Sequence, residues 1–109
     1  MSPVILCPRV EGYETLESVL DAAYAQAAHG KGKERHANDL PFHKQRMQSI
    51  SDLLDSDEGM AYQVIKKMTE GLQFTDPAAR EKELLGAIVY IAGIVVRQRQ
   101  SLAGTPDGQ

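Results

Sequence analysis

At 109 residues the chain is long enough for one domain with a single core and short enough to gain from a partner. Twelve Lys and Arg against fifteen Asp and Glu give a net charge of 12 − 15 = −3, which offers no global reason to expect a long nucleic acid as partner. With no Trp and two Phe the core must be aliphatic, and the single cysteine, Cys7, excludes an intrachain disulfide and a thiolate zinc cluster.

Residues 1–10, M-S-P-V-I-L-C-P-R-V, place a short β-prone run between two prolines, an edge strand of about four residues or an extended arm. That run is far too short for the core of a signal peptide, so a cytoplasmic protein is expected. Gly12 breaks the chain, and a helix is predicted from about Tyr13 to His29. Leu16, Val19, Leu20, Ala23 and Ala27 form its apolar face, and Glu14 and Glu17 sit in its first turn, where the helix dipole favours acids. Gly30 is expected to stop it in a left-handed conformation.

The loop G-K-G-K-E-R-H-A-N-D-L-P-F-H-K follows, with Leu40 and Phe42 as its expected anchors to the core. A short helix from Arg46 to about Leu54 would present Met47, Ile50, Leu53 and Leu54. After it, Ser56 or Asp55 is expected to cap a third helix running to about Glu70, with Met60, Val64, Ile65 and Met68 inward. Gly71 should terminate that helix, with Leu72 and Phe74 folding back over its end. Asp76-Pro77 announces the last helix, N-cap and then proline at the first helical position, running to about Gln100. Residues 101–109 read as a mobile tail, leaving 1–100 as a single helical domain.

Within the last helix, Leu84 to Val96 is thirteen residues without a charge. A helix apolar all round must be buried centrally or shared with another chain. Thirteen residues rise only about 20 Å, too little to span a bilayer. Gly86, Ala92 and Gly93 are small positions that would let a second helix approach. The expected fold is therefore all-α, a small bundle of about four helices behind a short N-terminal extended segment, assembled as a homo-oligomer through residues 83–96.

Charge is unevenly placed. Residues 29–46 carry Lys31, Lys33, Arg35, Lys44 and Arg46 against Glu34 and Asp39, a balance of 5 − 2 = +3, so the rest of the chain sums to −6. A basic segment on an acidic body points to an anionic ligand of limited size. Gly30 and Gly32 allow backbone amides to turn towards an anion, with Lys31 and Lys33 as point charges and Arg35 as the forked phosphate contact. His36 or Asn38 would bond a base or ribose, and Lys44 and Arg46 would close the site from beyond Pro41. Tyr24 or Tyr62 could stack on a base. No Walker loop and no G-x-G-x-x-G occurs. His29, His36 and His43 recur every seven residues, but Gly30, Gly32 and Pro41 break any helix that would stack them, and no metal site is expected. No resident cofactor is implied either.

Two carboxylate pairs, Glu14/Glu17 and Asp52/Asp55, have the three-residue spacing that puts both members on one helical face, as a magnesium site needs. First-turn placement is the simpler reason for Glu14 and Glu17. The run E83-L-L-G-A-I-V-Y resembles the second motif of the MazG-type all-α nucleotide pyrophosphohydrolases, E-E-L-G-D before apolar residues. Leu84 and Ala87 stand where that family places its second Glu and its Asp, so the resemblance leaves no magnesium site on this helix.

A broader resemblance covers roughly residues 13–96. G-K-G-K-E-R-H-A with L-P-F a few residues on, then A-Y-Q-V-I-K-K and E-L-L-G-A-I-V-Y-I-A-G, are similar to a group of small helical proteins of phages and prophages. The resemblance implies a phage setting, with the cytoplasm in question that of the host. The resulting expectation is a non-enzymatic protein that binds a phosphorylated small molecule through residues 30–46. A nucleotide is the leading class, and sequestration of a nucleotide immune signal the leading role. A protein-binding inhibitor of a host factor is the alternative, and a MazG-like hydrolase the one after it.

Overall fold

The computed structural model describes residues 7–30 and 40–103. Its elements are α1 (Glu14–His29), a single 3-10 turn (Phe42–Lys44), α2 (Arg46–Leu54), α3 (Glu58–Gly71) and α4 (Pro77–Ala103). Among the described residues there is no strand, and the fold is the small all-α bundle that the sequence predicts. The expected extended segment falls mainly on residues 1–6, outside the described residues, and residues 7–10 form no regular element.

Local chemistry accounts for most helix ends. Gly12 takes φ +95°, a conformation that side chains disfavour, and its N–H donates to both carboxylate oxygens of Glu14 at 3.0 and 3.3 Å. Glu17 pairs with Arg9 at 3.0 Å, so both first-turn acids have structural partners. Gly30 is not left-handed as expected but extended, at φ −100° and ψ −159°. Glycine is needed there for closeness: a Cβ would stand 2.8 Å from the Gln26 carbonyl oxygen.

The left-handed cap belongs to Asp55, at φ 51° and ψ 47°, which closes α2. Asp55 therefore does not cap α3. Nor is Ser56 at the N-cap, which is Asp57, although the Ser56 hydroxyl accepts the Glu58 N–H at 3.0 Å. Gly71 is the last residue of α3 rather than its terminator, buried where a Cβ would lie 2.9 Å from the Cβ of Glu83. Leu72 and Phe74 remain exposed instead of covering that end. Asp76 caps α4 as expected, accepting the Ala79 N–H at 3.0 Å, and Arg80 Nη1 ties the first turn to the Leu72 carbonyl at 2.9 Å. The helix continues three residues into the expected tail, to Ala103, and residues 104–109 lie outside the described residues.

Packing is where structure and expectation part. The interior is built of small and flexible residues: Ala23, Met60, Leu85 and Ala87, with Gly71, Gly86 and Gly93 at points of close approach. A Cβ at Gly86 would stand 3.0 Å from the Lys67 Cδ, and one at Gly93 would stand 3.0 Å from the Met60 sulfur. Gly86 and Gly93 therefore receive α3 and α2 of the same chain, while Ala92 is exposed. Leu16, Val19 and Leu20 of α1, Ile50, Leu53 and Leu54 of α2, and Ile65 and Met68 of α3, all expected inward, are exposed. The approaches to α4 are made by flexible side chains, Met47, Gln48, Met60 and Lys67, and those exposed apolar residues stay outside. Nor is α4 enclosed on all sides, since Ile91 is 47% and Val95 40% exposed.

Two polar contacts cross this interior. Gln48, only 1% exposed, donates through Nε2 to the Gly93 carbonyl at 3.0 Å, while its Oε1 is buried without a partner. Arg97 on α4 gathers Asp52, Asp55 and Asp57 at 3.1, 3.6 and 3.0 Å, locking the α2–α3 corner to α4. The hydrogen bonds that Arg97 donates to Asp52 and Asp57 raise the guanidinium pKa above its ordinary value, so Arg97 stays charged. No helix among the described residues is long and apolar enough to cross a membrane.

Candidate functional site

A cleft of about 580 Å³ opens between the end of α1, the 3-10 turn, α2, α3 and α4. Its volume falls in the range of small-molecule sites. Its apolar surface comes from Ala27, Phe42, Ile50, Met60 and Val89, its polar edges from Gln26, Gln45 and Gln63. Three cations line it, Arg46, Lys67 and Lys82, against one carboxylate among the described residues, Glu83. That local balance of 3 − 1 = +2 stands out on a chain of net charge −3.

Each cation is positioned differently. Arg46 is the first residue of α2 and is exposed. Lys82 sits on the second turn of α4, and its own carbonyl accepts the Gln26 Nε2 proton at 3.1 Å, which joins α1 to α4 beside the cleft. Lys67 is half-buried. Its stem crosses Gly86, and its ammonium is 3.6 Å from Glu83 and 6.0 Å from the Tyr90 ring centroid. Burial pushes the Tyr90 phenol above its usual value, so at neutral pH it is an uncharged hydrogen-bonding group. Tyr62, on α3, exposes an aromatic face on the same cleft.

The arrangement suits an anion that also carries a flat or apolar part. Arg46 and Lys82 have no ion pair among the described residues and can meet a phosphate. Lys67 can do so by leaving Glu83, and Tyr62 offers a stacking surface.

Of the residues predicted from sequence, Lys31, Lys33, Arg35, His36 and Asn38 lie outside the described residues. Arg46 lines the cleft, whereas Lys44 is exposed on the 3-10 turn and does not. Phe42 anchors the returning chain into the cleft, but Leu40 does not: it is exposed and contributes its carbonyl to the Gln45 side chain at 3.0 Å. Tyr24 is outside the cleft, its ring 6.3 Å from that of His29, while Tyr62 is within it. Lys67, Lys82, Tyr90 and the three glutamines were not foreseen. Nothing in the sequence places Lys67 beside Gly86, since the two lie on different helices.

The carboxylate pairs considered for magnesium are engaged elsewhere, Glu14 and Glu17 at the start of α1 and Asp52 and Asp55 on Arg97. On α4, Ala87 is buried and Glu83 faces Lys67. Among the described residues no three His, Cys, Asp or Glu come together as metal ligands. Comparison of the chain with family models, with curated proteins and with solved structures finds no match.

Proposed function

We propose that this protein binds a phosphorylated small molecule, a nucleotide by class, in the α1–α4 cleft, and holds it without turning it over. The observation that carries the reading is the convergence of Arg46, Lys67 and Lys82 on one cleft with Tyr62 and Tyr90. Described residues on either side of the basic run, Gln26 and Ala27 before it and Phe42 and Arg46 after it, line this cleft. Lys31, Lys33, Arg35, His36 and Asn38 belong to this proposal through the sequence, as phosphate, base or ribose contacts, and Lys44 as a more distant cation. The resemblance to phage proteins extends it to sequestration of a nucleotide signal in the host cytoplasm, and the uncharged stretch of α4 to a homo-oligomer through residues 83–96. The runner-up is an inhibitor that docks on a host protein, favoured by the exposed Leu53 and Leu54 on α2 and Ile65 on α3.

Two measurements test the reading. Mass spectrometry of molecules released on denaturing the purified protein should show a phosphorylated compound. Calorimetry with nucleotides at fixed salt should show weaker binding for Arg46→Ala and for Lys82→Ala, by roughly 10- to 100-fold each, the usual worth of a charge-assisted phosphate contact. No nucleotide binding by the wild type, or unchanged affinity in both variants, would overturn it.

A further inference from the structure

The uncovered side of α4 has an order of its own. Leu84, Ile88, Ile91, Val95, Gln98 and Leu102 follow one another at intervals of four, three, four, three and four residues. Alternation of four and three is the heptad spacing of a coiled-coil seam, which stays on one face of a helix wound against another. The exposure agrees with the spacing. Ile91, Val95, Gln98 and Leu102 are exposed, Leu102 by 72%, and Leu84 and Ile88 are half-buried. Other faces of the helix are occupied, Gly86 and Gly93 by α2 and α3 and the Lys82 carbonyl by α1.

We infer that a second copy of this chain docks here, its α4 antiparallel to the first, in a twofold dimer. The residues at the two ends of the seam favour a copy of the chain over a foreign helix. Glu81 continues the spacing one step before Leu84, and among the described residues it makes no ion pair. In the antiparallel register Leu84 lies opposite Val95 of the second copy and Ile88 opposite Ile91, giving four apolar layers. Each end is then closed by Glu81 of one copy accepting from the Gln98 amide of the other. A parallel register would set Glu81 against Glu81. The twofold axis makes one sequence supply both halves of each polar layer. This pairing does not depend on nucleotide binding, because the seam residues Ile88, Ile91 and Val95 do not line the cleft.

Sedimentation at tens of micromolar should give a wild-type mass of two chains or an even multiple. Ile91→Glu with Val95→Glu should halve that mass while the helical circular dichroism persists, and Leu53→Glu, on an exposed position of α2, should not. Cysteine pairing gives an independent test in a Cys7→Ser background. Leu84→Cys with Val95→Cys should cross-link chains on oxidation, whereas Leu84→Cys alone should not. Eleven residues of helix rise about 16 Å, beyond the reach of a disulfide, and keep the two copies of residue 84 apart. A monomeric wild type, an unchanged mass in the double Glu variant, or efficient cross-linking through Leu84→Cys alone would each overturn the inference. If the Glu variant unfolds, the cysteine pair decides.

Discussion

Glycine in this chain has one identity and opposite consequences, according to what stands beside the missing Cβ. At Gly71 a Cβ would meet the Glu83 Cβ at 2.9 Å, an atom fixed by the α4 backbone, so the two helices would have to separate. At Gly59, on the first turn of α3, nothing lies within 4 Å. Gly71→Ala is therefore expected to destabilise by about 1–3 kcal/mol, as overpacking does. Gly59→Ala should stabilise by about 0.4–1 kcal/mol, chiefly by narrowing the unfolded ensemble. Urea titrations of the two variants beside the wild type check both signs, and a Gly71→Ala variant as stable as the wild type would mean that α3 and α4 are less closely set than described.

At the scale of helices, α2 is held by polar groups where its apolar ones fail to reach the interior. Gln48 spends its amide proton on the Gly93 carbonyl and leaves Oε1 buried and unpartnered. An orphaned buried acceptor costs about 1–3 kcal/mol, comparable to or greater than the roughly 1 kcal/mol that the single bond returns. Gly93 lies within a continuous helix, so its carbonyl retains the usual intrahelical amide without Gln48. Gln48→Met, nearly equal in volume, is thus expected to leave stability unchanged or raise it, and Gln48→Glu to lower it sharply. A loss of more than about 2 kcal/mol in Gln48→Met, well beyond the worth of one neutral hydrogen bond, would refute that accounting.

The same helices mark how far the sequence could be read. The Asp76-Pro77 start of α4 was legible because its cap is made by neighbours in the chain. Which apolar face each helix buries was not, because that depends on how many elements are available to cover it. Leu16, Leu20 and Leu53 have the spacing of core residues and no element to lie under. The site divides likewise. Arg46 could be foreseen from its place beside the basic loop, but Lys67 and Lys82 belong to different helices, α3 and α4, which lie close because Gly71 and Gly86 leave room for it.

At the scale of the whole molecule, eighteen large hydrophobic residues are exposed among the described residues, against four hydrophobic residues that are buried. Its radius of gyration, 15.5 Å, exceeds the roughly 13 Å of a compact domain of this length. Tyr13, Leu16, Leu20 and Tyr24 run exposed along α1, and Ile91, Val95 and Leu102 along α4. Such surface is costly to leave in water and is ordinarily covered in an assembly. If pairing covers the α4 face, folding and association are linked, and stability belongs to the assembled state. Each tenfold rise in protein concentration should then add about 1.4 kcal/mol of apparent stability per dimer. Thermal midpoints measured from 1 to 100 μM, as orders of magnitude, should climb by several degrees, since 1 kcal/mol moves a domain near this size by about 4–8 °C and a dimer by less. In the Ile91→Glu, Val95→Glu variant the midpoint should be lower and indifferent to concentration. A wild-type midpoint that stays fixed over that hundredfold range would show that the chain tolerates its open faces alone, and would leave those faces for an unlike protein to cover.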